Sequence, residues 1–174
     1  GTGTADTYHQ LMCQAMDAGI VFAVAAANDH RVVNQRPALF DEPITVAALA
    51  DYDGKPGGKG RQKDVCPWYS SDSDDTWANF SNWGAAVDIV APGKCILSTF
   101  KNGRYAWMSG TSMATPHVTG AIALYRMRYP AAQPQQVKQA LVSAGTRDWR
   151  TSTAPDGRPY RLLQVRTLTP PPTF

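Results

Sequence analysis

One stretch combines residue types that could do covalent chemistry. In Gly110-Thr111-Ser112-Met113-Ala114-Thr115-Pro116-His117-Val118-Thr119-Gly120 a serine sits between small residues. A helix-like apolar pattern follows at once, at Ala114, Val118, Ala121, Ile122 and Tyr125. That pattern places the Ser112 hydroxyl at the first turn of a buried helix, where unpaired N–H groups and the positive dipole end favour an oxyanion. Gly110 lets another backbone approach closely, as a bound peptide would need. The simplest alternative is that Thr111 or Ser112 only caps the helix.

A second candidate lies far upstream. The continuous apolar run Ile20-Val21-Phe22-Ala23-Val24-Ala25-Ala26-Ala27 ends at Asn28. A run without alternation, directly after a helix, predicts a strand buried on both faces of a parallel sheet. Ligands in open α/β sheets bind at the carboxyl ends of strands. A side-chain amide there can donate hydrogen bonds to a reacting carbonyl. In an arbitrary strand-to-loop junction Asn28 would instead make an Asx turn.

The elements that must position these residues follow in order. Thr4 to Ala18 reads as a helix with Leu11, Ala15 and Ala18 inward, ended by Gly19. After the Asn28 strand, Arg31 to Pro43 is a polar connection. Ile44 to Leu49 is the next strand. Residues 52–78 read as a flexible, polar surface insertion, with glycines and basic residues followed by Asp72, Asp74 and Asp75. Those aspartates could bind calcium, but they lack an EF-hand pattern, and a solvated acidic turn is favoured. Ile96 to Phe100 and Arg104 to Met108 form a hairpin around Asn102-Gly103 and deliver the chain to Gly110. Pro134 opens a last helix with Val137, Ala140, Leu141 and Ala144 inward, closed by Gly145. Residues 169–174 form a Pro-rich tail or linker.

Bulk properties narrow the function classes. The 174 residues suffice for one domain with a core, and 43% apolar with 18% charged content is that of a folded globular chain. A net charge of +3 without a dominant basic run gives no reason to expect nucleic acid as a partner. No apolar run has the length to span a membrane, so no membrane partner is expected. Three cysteines, Cys13, Cys66 and Cys95, leave two arrangements open: one disulfide with a leftover thiol, or three reduced thiols. Of the pairings, Cys66–Cys95 is favoured.

The Gly110–Gly120 stretch resembles the active-serine motif of the subtilisin-like serine proteases, the subtilases. Ala25-Ala26-Ala27-Asn28 resembles their AAGN segment, with Ala27 where the family has glycine. Ile44 to Leu49 resembles ITVGA. Asn79-Phe80-Ser81-Asn82-Trp83-Gly84 and Val87-Asp88-Ile89-Val90-Ala91-Pro92-Gly93 resemble FSNYG and VDIAAPG. By spacing, Pro37 matches a family proline that follows a cis bond, so Arg36–Pro37 is expected to be cis. The resemblance covers roughly Gly1 to Gly145. It implies an α/β fold: the C-terminal half of a three-layer architecture with a mostly parallel sheet flanked by helices. Residues 1–168 would be a partial catalytic domain.

The resemblance also assigns roles. Ser112 would be the nucleophile of a serine endopeptidase, and Asn28 with the Ser112 N–H would hold the oxyanion. Gly1, Ala25, Ala26, Ala27 and Gln35 would line the specificity pocket, and small linings tolerate a large or apolar side chain. No cofactor is needed for the chemistry. A structural calcium would be held by Asp88 and the carbonyls of Asp41 and Pro43, as in proteinase K-like members.

A serine needs a base, normally a histidine held by a carboxylate. The family's Asp and His motifs belong to its N-terminal half, and neither motif occurs here. His117 matches a family histidine that is not the base, His9 falls in the first helix, and His30 follows Asn28. The implied partner is therefore the N-terminal half of the same catalytic domain, carrying Asp and His, with a peptide or protein as substrate. The alternative is an inactive subtilase-like binding or assembly module. An α/β-hydrolase esterase is excluded, because G-x-S-x-G is absent around Ser112. Family habit and a disulfide imply secretion.

Overall fold

The computed structural model of the chain describes residues 7–64, 71–150 and 153–168. Its elements are α1 (Thr7–Asp17), β1 (Ala23–Ala25), β2 (Ile44–Ala50), β3 (Thr76–Trp77), β4 (Ile89–Pro92), β5 (Ile96–Phe100), β6 (Arg104–Met108), α2 (Thr111–Arg128) and α3 (Pro134–Ala144). No described helix is long and apolar enough to cross a membrane.

Strand β2 is the hub. Every one of its seven residues is buried, including Thr45, whose hydroxyl donates to the Ala38 carbonyl at 3.1 Å. It pairs in parallel with β1, where Ala23 faces Ile44, and with β4, where Val46 faces Ile89. A short antiparallel contact joins it to β3. Alternate residues of β2 feed two cores, because successive side chains of a strand point to opposite faces. Ile44, Val46 and Ala48 meet Val118 and Ile122 of α2 and Val137 and Leu141 of α3. Ala47 and Leu49 face the other way, into Trp77, Trp149 and Tyr160. Helices therefore cover one face. Among the described residues, an aromatic cluster from β3 and the 149–160 segment covers the other.

Two expectations about the first elements need correction. The inward stripe of α1 is Met12 and Met16, while Leu11 is 60% exposed. The run 20–27 yields only three strand residues, and all three are half-buried. Among the described residues, β1 has a partner on one edge only, which is β2. Both faces are nonetheless covered, since Val21 and Ala23 pack on one core and Val24 and Ala26 on the other. The shortfall is at the strand's edge, not its faces.

The hairpin and the two later helices form where the sequence places them. Lys101, Asn102 and Gly103 separate the paired Phe100 and Arg104, and Asn102 and Gly103 close the turn with φ of 61° and 65°. Val137 and Leu141 are fully buried in α3, and Gly145 caps it. Arg36–Pro37 is cis.

In the described part of the insertion, the aspartates are bonded and do not form a solvated turn. Asp74 and Asp75 are each 2% exposed. Asp74 accepts the Tyr52 and Gly60 N–H groups at 2.7 and 2.8 Å. Asp75 accepts those of Gly57 and Gly58 at 2.7 and 2.8 Å. Asp72 pairs with the buried Lys94 at 2.7 Å. A glycine-rich loop has no side chains with which to build a core, so carboxylates bonded to its backbone hold it instead. Burial pushes the Asp75 carboxyl above its ordinary range, against the two N–H bonds that pull it down. Cys95 is disulfide-bonded and Cys13 is free. Cys66, and with it the expected pairing, lies outside the described residues, as do Gly1 and the tail.

Candidate active site

The serine arrives on a backbone built for close approach. Helix α2 starts directly after Gly110, whose φ of 155° is one that side chains disfavour. The Gly110 N–H donates to the Gly93 carbonyl at 2.8 Å, tying the end of the hairpin to the loop after β4. A methyl on Gly93 would come within 2.6 Å of the Ala48 Cβ and 2.9 Å of the Gly110 carbonyl, so this approach needs glycine. Ala114, Val118 and Ala121 anchor the helix in the core, and Ser112 is left exposed.

Asn28 reaches the same place from the tip of β1. Its side-chain carbonyl accepts the Thr111 N–H at 2.8 Å and the Thr111 hydroxyl at 3.0 Å. With the oxygen thus fixed, the amide nitrogen Nδ2 is free to face outward. A methyl placed on Gly110 would lie 3.6 Å from Asn28 Nδ2 and 3.7 Å from the Ser112 nitrogen. Two N–H donors therefore border one small volume beside the serine. In the first turn of α2, the Thr111, Met113 and Ala114 N–H groups already have acceptors. Among the described residues, the Ser112 N–H is the one left for a ligand.

Asn82 holds the loop behind Asn28 in place. It is fully buried, and its side-chain oxygen accepts the Asp29 and Arg31 N–H groups at 2.9 and 3.2 Å. Its own N–H donates to the Ala27 carbonyl at 3.0 Å. Sequence reasoning did not assign roles to Thr111 and Asn82 as the groups that position Asn28. Their polar character beside small or aromatic residues was the available signal, but their partners lie far away in the chain.

The proposed pocket residues fall into different environments. Ala26 is fully buried in the aromatic-side core, so only its backbone could face a ligand. Ala25 and Ala27 are half-buried at the end of β1, and Gln35 is exposed. Ala27 has φ of 75°, so an alanine occupies a left-handed position where glycine is normal.

None of the three histidines is bonded to Ser112. His117 Nδ1 lies 2.9 Å from the Met113 carbonyl, one turn back along its own helix. His30 packs edge-on against Trp83, with ring centres 4.9 Å apart. His9 Nε2 lies 3.0 Å from Glu42 Oε2. The described residues thus bring an exposed serine and two N–H donors together, with no histidine bonded to the serine.

A lysine stands among the groups expected to hold calcium. Lys138 Nζ donates to the Asp41 and Pro43 carbonyls at 2.8 and 2.9 Å and pairs with Asp88 Oδ1 at 2.8 Å. These are the three groups expected to hold the ion. The ammonium already supplies the positive charge, and the oxygens do not fit a calcium while it is there. Asp88 Oδ2 also accepts the Thr45 N–H at 2.8 Å. Burial pushes the Asp88 carboxyl upward, and the Lys138 and Thr45 hydrogen bonds oppose that shift.

Known proteins resemble the chain along most of its length. A model of the subtilase family matches residues 1–159. The chain is 38% identical over 149 residues to an extracellular serine proteinase of Thermus sp. (strain Rt41A), a match covering 84% of this chain and 31% of that protein. It is 33% identical over 154 residues to alkaline serine exoprotease A of Vibrio alginolyticus, covering 88% of this chain and 25% of that protein. The crystal structure of a cold-adapted subtilisin-like serine proteinase superposes with a TM-score of 0.72 at 31% identity. It covers 92% of this chain and 51% of the other. The chain therefore spans a third or less of the length of these two sequence relatives.

Proposed function

The chain belongs to the subtilase family, and we propose that it is the nucleophile-bearing part of a serine endopeptidase whose base and orienting carboxylate lie outside these 174 residues. One observation carries the reading: Asn28 Nδ2 and the Ser112 nitrogen lie 3.6 and 3.7 Å from one point, where a methyl on Gly110 would stand. Two preorganised donors beside one point are what a tetrahedral oxyanion requires.

In the reaction, Ser112 Oγ attacks a peptide carbonyl while a histidine supplied from elsewhere takes its proton. The carbonyl oxygen becomes an oxyanion held by Asn28 and the Ser112 N–H. The amine leaves with the proton, and water then hydrolyses the acyl-enzyme. No metal enters these steps. Ala25, Ala27 and Gln35, with the Ala26 backbone, form one wall of the substrate cleft.

The remainder of the catalytic domain would pack on the surfaces this chain leaves uncovered. Strand β1 lacks a second neighbour among the described residues. Leu97, Phe100 and Met108 are 44–50% exposed around a cavity of about 380 Å³ that also reaches Met113 and His117. Open strand edges and apolar patches of this kind call for a partner. The name of the Thermus relative and the disulfide at Cys95 support an extracellular location.

Mass spectrometry of the native protein tests the proposal. It should find an Asp motif and a His motif, in sequence preceding Gly1 or in a tightly bound second polypeptide. Active native material with neither would overturn it.

A further inference from the structure

His9, Cys13 and Glu42 lie together in a cluster that the proposed proteolysis does not use. His9 and Cys13 are four residues apart on α1, so both project from the same face. Glu42 comes from the loop that enters β2. His9 Nε2 lies 3.0 Å from Glu42 Oε2, and Cys13 Sγ lies 3.9 Å from Glu42 Oε1. The ligand atoms of all three lie within 4.8 Å of one another, and all three residues are half-buried.

We propose that these three side chains bind a zinc ion. Zinc takes thiolate, imidazole and carboxylate at about 2.0–2.3 Å in a tetrahedral arrangement, which sets neighbouring ligand atoms roughly 3.5 Å apart. The cluster is already close to that spacing, so small side-chain adjustments suffice. A sulfur and an imidazole among three donors select a borderline-soft ion over calcium or magnesium. The thiolate and the Glu42 carboxylate neutralise the two charges of the ion, and the Cys13 thiol proton is released to solvent on binding.

The surroundings support a ligand-ready site. The His9 ring is stacked on Phe40, with centres 4.0 Å apart and planes 11° from parallel, which fixes the direction of its nitrogens. Cys13 is free of any disulfide. Cys13 and Glu42 line a cavity of about 450 Å³ together with Met16, Asp17 and Gln135. That space beside Cys13 and Glu42 leaves room for a water as the fourth ligand. The simpler role for these residues is an ion pair docking α1 against the loop, and that role needs no sulfur.

Alkylation of Cys13 separates the two. The native protein is treated with iodoacetamide with and without zinc chloride, with magnesium chloride as control, and Cys13 modification is followed by peptide mass. Zinc should slow modification by about 10-fold or more, while magnesium leaves it unchanged. His9→Gln and Glu42→Gln should each lose the protection. Cobalt(II) titration of the unaltered protein, which requires no variant to fold, should give a thiolate-to-metal absorption band saturating at one equivalent. An unchanged alkylation rate, protection that survives in either variant, or absence of the cobalt band would overturn the site.

Discussion

Asn28 is held by Thr111 across a separation of 83 residues, through bonds of 2.8 Å from the N–H and 3.0 Å from the hydroxyl to one side-chain oxygen. Both donors sit on the same fully buried threonine. The amide of Asn28 is therefore oriented before any substrate arrives, which is the condition for strong oxyanion stabilisation.

Thr111 should thus act through Asn28 and not on substrate. In the assembled protease, Thr111→Val removes one of the two bonds, about 1 kcal/mol, and should lower kcat roughly five-fold with little change in KM. Thr111→Ser should restore it. Asn28→Ala removes the donor itself and should cost about 10²–10³ in kcat. Steady-state kinetics on the three variants checks the ordering. A Thr111→Val enzyme with unchanged kcat would show that Asn28 is held in place by other means.

Ala27 carries a side chain at φ 75° immediately before Asn28. A left-handed alanine costs roughly 1–2 kcal/mol, and glycine's greater freedom when unfolded returns part of that. Ala27→Gly should therefore stabilise the protein by about 0.5–1 kcal/mol, read as a higher midpoint in denaturant. A lower midpoint would mean that the methyl contributes packing that outweighs the strain.

Lys138 is the cation of the Asp41–Pro43–Asp88 cluster, and its side chain is only 15% exposed. Lys138→Ala leaves a mostly buried carboxylate and two carbonyls unpaired and should destabilise by about 3 kcal/mol. Those oxygens then face a space that a hard cation can enter. Added calcium should raise the melting temperature of Lys138→Ala more than that of the parent protein. Equal responses would contradict the replacement of an ion by the ammonium.

What the sequence made legible was local. The turn Asn102-Gly103, the apolar spacing of α2 and α3, and the small residues around Ser112 each follow from a few neighbours, and each appears in the structure. What it left unread depends on distant partners. Lys138 looks like an ordinary helix-surface lysine until α3 docks against the loop before β2. Asp74 and Asp75 look solvated until the glycine loop folds over them. The run 20–27 predicts a buried strand, but β1 stands at the sheet's edge among the described residues. The motif at Ser112 pointed to the proposed nucleophile, and only the fold showed that Thr111 holds Asn28.

The central claim is that Ser112 is a working nucleophile awaiting a base. A fluorophosphonate probe, followed by peptide mass at Ser112, tests it most directly. Ser112 should be labelled when the 174-residue chain is combined with the part of the domain carrying Asp and His. Labelling should fall to background in the chain alone and in the assembly with Asn28→Ala. An assembled protein whose Ser112 stays unlabelled would contradict the account and leave a binding or assembly module in its place.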